Sequence, residues 1–108
     1  MEDGMSSSTA YIIDGYRSGS VDGYNSVWYK YTATNTGYYD IVMDANNRVY
    51  MYGYDSNPEY SSYSREMNNG TSFYFNWYLS EGSTYWFKVV ADTDYYTNFT
   101  INVNYKGK

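Results

Sequence analysis

The chain has 108 residues, a formal charge of −5 at pH 7, and neither cysteine nor histidine. That length fits one domain with a two-layer core. The missing residue types exclude a disulfide framework, a thiolate or zinc site of the usual kind, a cysteine nucleophile and a histidine general base. The seven basic residues are scattered and no apolar run approaches a membrane span, so neither nucleic acid nor a membrane is expected as partner.

Taken in order, Met1 to Ser8 lack the basic and apolar regions of a signal peptide and read as a disordered or expression-derived N-terminus. Residues 9–105 read as one domain and 106–108 as a tail. Eighteen tyrosines against a single leucine, Leu79, with serine, asparagine and glycine at the joins, indicate an all-β chain. Thr9 to Ile13 is a first, edge strand, stopped by Asp14-Gly15. Arg17 to Asn25, with two glycines and two serines, reads as a loop or a pair of turns. Val27 to Ala33 alternates, with Val27, Tyr29, Tyr31 and Ala33 on one side and Trp28, Lys30 and Thr32 on the wet side.

Asn35-Thr36-Gly37 is a tight turn into Tyr38 to Asp44, whose Tyr39, Ile41 and Met43 point inward. Ala45-Asn46-Asn47 is read as another turn, followed by Arg48 to Asp55. There Val49, Met51 and Gly53 face the core, and Tyr50, Tyr52 and Tyr54 form a row on the other face. Asp55 to Gly70 reads as loop plus strand, although Asn57-Pro58 would also suit a helix start. Thr71 to Leu79 is a core strand with Phe73, Phe75, Trp77 and Leu79 on one parity. After Ser80-Glu81-Gly82-Ser83, Tyr85, Phe87 and Val89 point inward and Trp86 and Lys88 outward. Phe99, Ile101, Val103 and Tyr105 share one parity in the last strand.

Seven to eight short one-sided strands need a second sheet to cover them, so an antiparallel β-sandwich is expected. Trp28 to Ala33, Thr36 to Ile41, Val49 to Asp55, Leu79 to Val89 and Phe99 to Val103 together resemble bacterial pre-peptidase C-terminal domains over roughly residues 24–105. The resemblance implies a jelly-roll-like sandwich and a non-catalytic appendage of a secreted or surface-exposed bacterial protein. Such domains aid secretion or bind insoluble substrate, collagen and polysaccharide included. Collagen-binding relatives hold calcium through acidic residues near the N-terminus, where this chain has Glu2-Asp3 and Asp22.

No carboxylate pair is singled out as a catalytic couple, and most acids sit where turns favour aspartate. No catalytic residue and no metal ligand is assigned. No cofactor is required; calcium is the one ion that Asp44-Ala45-Asn46-Asn47, Asp55-Ser56-Asn57 or Asp92-Thr93-Asp94 could take. The candidate site is aromatic: Tyr50, Tyr52, Tyr54, Tyr74, Tyr78 and Trp86 all take the outward parity, with Asn76 and Lys88 as polar neighbours. Flat rings stack on the C–H face of a sugar while polar side chains meet its hydroxyls. Polysaccharide is therefore the expected ligand, and a fibrous protein such as collagen the alternative. The competing reading is a structural spacer or adhesion domain of a larger protein, its rings packed for stability alone.

Overall fold

The computed structural model describes residues 10–23, 25–56 and 66–108. Seven strands form in chain order: β1 (Tyr11–Ile12), β2 (Tyr16–Val21), β3 (Ser26–Thr32), β4 (Gly37–Tyr54), β5 (Glu66–Leu79), β6 (Thr84–Ala91) and β7 (Thr97–Gly107). They hydrogen-bond in the order β1-β3-β6-β4-β7-β2, with β5 also on β4. All pairs are antiparallel except β1 with β3. The all-β sandwich expected from the alternation is present, as one sheet curled into two layers. Its strands are not all short, because β4 runs for 18 residues and β5 for 14.

The curl comes from β4. Residues 37–45 pair with β7 and the later part of β5, whereas residues 49–54 pair with β6 and the start of β5. Between Asp44↔Ser72 and Val49↔Gly70, β4 has four residues and β5 only Thr71. The extra length bends the hairpin, and Gly70 opposite the bend takes φ +133°, a backbone state that favours glycine. The front layer is thus β2, β7, the first part of β4 and the second part of β5. The back layer is β1, β3, β6, the second part of β4 and the start of β5.

The turn expected at Ala45-Asn46-Asn47 is therefore a bulge in a continuous strand. Its asparagines bond to the β6–β7 connection and the start of β7 instead of closing a turn. Asn46 Oδ1 accepts from the Asn98 backbone N–H at 2.9 Å, and Asn47 Nδ2 donates to the Tyr96 carbonyl at 3.4 Å. Arg48 adds an ion pair to Asp92 at 2.7 Å and a hydrogen bond to Asn69. Of Asp55 to Gly70, residues 66–70 open β5, while 57–65, with the helix-start alternative, lie outside the described residues, as do 1–8. β7 reaches Gly107, which pairs with Tyr38.

The second difference is β2, which replaces the loop expected across Arg17 to Asn25 and pairs six residues with β7. Its small residues answer to packing. A Cβ on Gly19 would overlap the Tyr29 hydroxyl and press on the Phe99 ring at 3.0 Å. Gly19→Ala is expected to lower unfolding free energy by about 1–3 kcal/mol, the usual penalty of overpacking, as read by urea denaturation. An unchanged midpoint would show that the ring pair can yield.

Between the layers lies an aromatic and aliphatic core. Tyr29 of β3 meets Phe99 of β7 edge-on at 5.8 Å, and Tyr31 of β3 meets Tyr39 of β4 at 5.9 Å. Trp77 of β5 touches Tyr85 and Phe87 of β6. The inward sets expected for β3, β4, β6 and β7 are buried, apart from Tyr105, which is exposed near the end of its strand. At the open edge Arg17 of β2 lies over the Tyr11 ring at 4.4 Å and donates to the Ile12 carbonyl, tying β2 to β1 across the layers.

Burial raises the Tyr29 phenol from 10.0 to about 12, against a smaller opposing pull from Arg17. Tyr31 is raised in the same direction, also chiefly by burial. The folded state holds these protons more tightly than the unfolded chain. The Tyr29 contribution is complete below pH 10 and is lost as pH rises toward 12, and Tyr31 acts in the same sense. An alkaline titration should show tyrosinate absorbance rising in two phases, the second coincident with loss of the circular dichroism signal. A single phase with the fold intact would contradict this burial.

Candidate binding surfaces

The six aromatic residues singled out by parity do not share one face. Tyr74 and Tyr78 lie on the outer side of the front layer, and Tyr50, Tyr52, Tyr54 and Trp86 on the outer side of the back layer. Parity distinguishes core from exterior within a layer, and the exteriors of two stacked layers point in opposite directions.

On the front face the register sets side chains in rows across four strands. Tyr74, Val42, Asn102 and Tyr16 form one, with Asn76, Asp40 and Asn104 on one side of it and Ser72, Asp44, Thr100 and Ser18 on the other. Beyond these Tyr38 and Tyr78 pair edge-on at 5.1 Å. The four tyrosines are well exposed: Tyr74 59%, Tyr16 57%, Tyr78 48% and Tyr38 47%. Three strand spacings put Tyr16 and Tyr74 about 14 Å apart, and four residues of rise put Tyr74 and Tyr78 about 13 Å apart. Between them the polar groups are braced. Asn76 Nδ2 donates to Asp40 Oδ1 and Ser72 Oγ to Asp44 Oδ1, both at 2.9 Å. At the Asp44 end the face runs into a groove of about 630 Å³ lined by Ser18, Ser20, Asn46, Asn98 and Thr100 among others.

Tyr16 and Tyr38 join this face in addition to the residues expected from strand parity. Tyr38 shares its parity with Asp40 and Asp44, which is the signal that could have found it. Tyr16 opens β2, whose glycine and serines give no strand signal in the sequence.

On the back face Tyr52, Lys88 and Trp28 form one row and Tyr54, Trp86 and Lys30 the next. The row of tyrosines expected on β4 exists, but it is not an open platform. Tyr54 is buried to 7% exposure with its ring 5.3 Å from Trp28, and Tyr50 and Tyr52 are half-buried. Burial also raises the Tyr54 phenol, and Tyr52 beside it adds to the shift. Lys88 Nζ stands 5.6 Å from the Trp28 ring centre. A groove of about 650 Å³, lined by Lys30, Thr32, Thr84 and Trp86 together with Ile12 and Asp14, closes this face at its β1 edge.

Among the described residues no three carboxylates converge as a metal site would require. Of the loop acids considered for calcium, Asp44 accepts from Ser72, Asp92 pairs with Arg48, and Asp22 accepts from the Gly23 N–H.

No family model and no curated protein sequence matches the chain. Solved structures do. The pre-peptidase C-terminal domain of a collagenase from Bacillus anthracis aligns over 88% of this chain and 92% of its own, at 12% identity and a TM-score of 0.63. The fold is pre-peptidase C-terminal-like. A mitogen from Yersinia pseudotuberculosis has a TM-score of 0.60 at 12% identity, with 86% of each chain covered. PliG of Aeromonas hydrophila, a periplasmic inhibitor of g-type lysozyme, has a TM-score of 0.52 at 13% identity, over 82% of this chain and 84% of its own. The resemblance read from the segment order thus holds for the fold. At these identities the pre-peptidase C-terminal-like architecture is what is shared, and ligand chemistry has to come from this chain's own faces.

Proposed function

We propose that this chain is a non-catalytic binding module of a secreted or cell-surface protein, and that its front face takes a neutral polysaccharide. The observation that carries the reading is the exposed tyrosine frame, Tyr16, Tyr38, Tyr74 and Tyr78, around a floor of paired Asp, Asn and Ser side chains. Rings of this kind offer flat apolar area at low entropic loss, and exposed aromatic clusters mark contact surfaces. The braced amides and carboxylates present donors and acceptors for hydroxyls at fixed positions. A face open across four strands suits a chain passing over it better than a small molecule enclosed in a pocket.

Affinity electrophoresis and pull-down against soluble and insoluble polysaccharides, with fibrillar collagen as a further arm, test the reading. Retention on a neutral polysaccharide is expected. Retention on collagen alone would make the ligand a protein, and retention on nothing would leave the structural-spacer role as the better account.

A further inference from the structure

We infer that the back face is a second, separate binding surface, for an acidic glycan carrying uronate carboxylates. On β3 and β6 two tryptophans and two lysines alternate like a checkerboard: Trp28 is opposite Lys88, and Lys30 is opposite Trp86. Diagonal neighbours on adjacent strands lie about 7–8 Å apart, so the two lysine side chains rise from neighbouring positions on one face. Tyr52 and Tyr54 extend the two rows onto β4. Among the described residues neither Lys30 nor Lys88 has a carboxylate within salt-bridge distance.

Two such cations on one face stand out in a chain of charge −5. The contrast with the front face is direct, because the rows from Asn76 to Ser72 carry two carboxylates and no cation. Like charge turns an acidic chain away from the front, and opposite charge favours it at the back. Of the rings beside the lysines, Trp28 and Trp86 are half-exposed and offer apolar surface to a sugar C–H face, whereas Tyr54 is buried beneath them. The groove below Lys30 and Trp86 adds the hydroxyls of Thr32 and Thr84, which hydrogen-bond each other at 3.0 Å, and the exposed side chain of Ile12. Its volume is within the usual range of ligand clefts, about 300–1,000 Å³. A ligand with carboxylates, hydroxyls and an apolar ring face uses the lysines, the threonines and the rings, with its carboxylates held on the Lys30 and Lys88 side of the groove, away from Asp14. An acidic peptide would use the lysines and leave the threonine hydroxyls idle.

Tryptophan emission of the intact protein, titrated with an oligogalacturonate and with the same oligomer reduced to its primary alcohols, tests this. Trp28 and Trp86 report the site directly. The acidic oligomer should bind about tenfold tighter than the reduced one, and the difference should vanish in Lys30→Gln/Lys88→Gln. It should also vanish at about 1 M salt, where screening shortens to roughly 3 Å. Tyr74→Ala, which removes a front-face ring, should leave it intact, so failure of the front-face reading and failure of this one are distinguishable. Equal binding of the two oligomers, no response to the acidic one, or tighter binding of a glutamate-rich peptide would overturn the assignment.

Discussion

Tyr39→Ala is expected to lower the unfolding free energy by about 4 kcal/mol, a large part of the roughly 5–15 kcal/mol that holds a whole domain. The ring is fully buried at the start of β4, packed on Tyr31 and Tyr105. Its hydroxyl donates to the Asn35 carbonyl at 2.6 Å and accepts from the Asn35 N–H at 2.9 Å. One side chain therefore fills the inter-layer space and pins the turn that precedes its own strand. Tyr39→Phe separates the two roles: it keeps the ring and leaves both Asn35 groups short of a partner, for a loss of about 1–3 kcal/mol. Tyr85 repeats the device by accepting from the Ser80 N–H at 2.8 Å. Urea unfolding of the two Tyr39 variants should give a clear gap between them. Equal losses would mean that the ring contributes little and the hydroxyl nearly everything.

The second large effect concerns the front face. Tyr16→Ala/Tyr74→Ala should weaken binding of a retained polysaccharide by about 2–3 kcal/mol, roughly a hundredfold, from two stacked rings at about 1–1.5 kcal/mol each. The two residues stand at opposite ends of one row and are the most exposed of the four tyrosines on that face. Their removal should hardly touch stability, since exposed substitutions of this kind change it by about ±0.5 kcal/mol. Affinity electrophoresis with a melting curve on the same sample reads both quantities. Undiminished retention with an unchanged melting temperature would move the ligand off this face.

Strand parity explains how far the fold could be read in advance. Val27, Tyr29 and Tyr31, or Tyr85, Phe87 and Val89, announce one-sided strands because burial on one face leaves a period of two in the sequence. β2 was hidden because Gly19 looks like a turn residue, whereas its lack of a side chain makes room for Tyr29 and Phe99. The continuity of β4 was hidden because Asn46 and Asn47 suit a turn equally well, and only their bonds to Asn98 and Tyr96 show otherwise. The candidate site was half legible for a related reason. Tyr74 and Trp86 both read as outward, but a pattern along one strand does not say which layer the strand will join. Tyr54 shows a further limit, since an outward residue can still be buried by a neighbour such as Trp28.

The most direct test of the account is a backbone-amide chemical shift map of the intact domain with a soluble fragment of a neutral polysaccharide that retains it. The account predicts shifts across the front rows, on Asp40 and Val42, Tyr74 and Asn76, Asn102 and Tyr16, with the back face silent. Shifts confined to Tyr50, Tyr52, Lys88 and Trp86 would contradict it and place the neutral ligand on the opposite side of the sandwich.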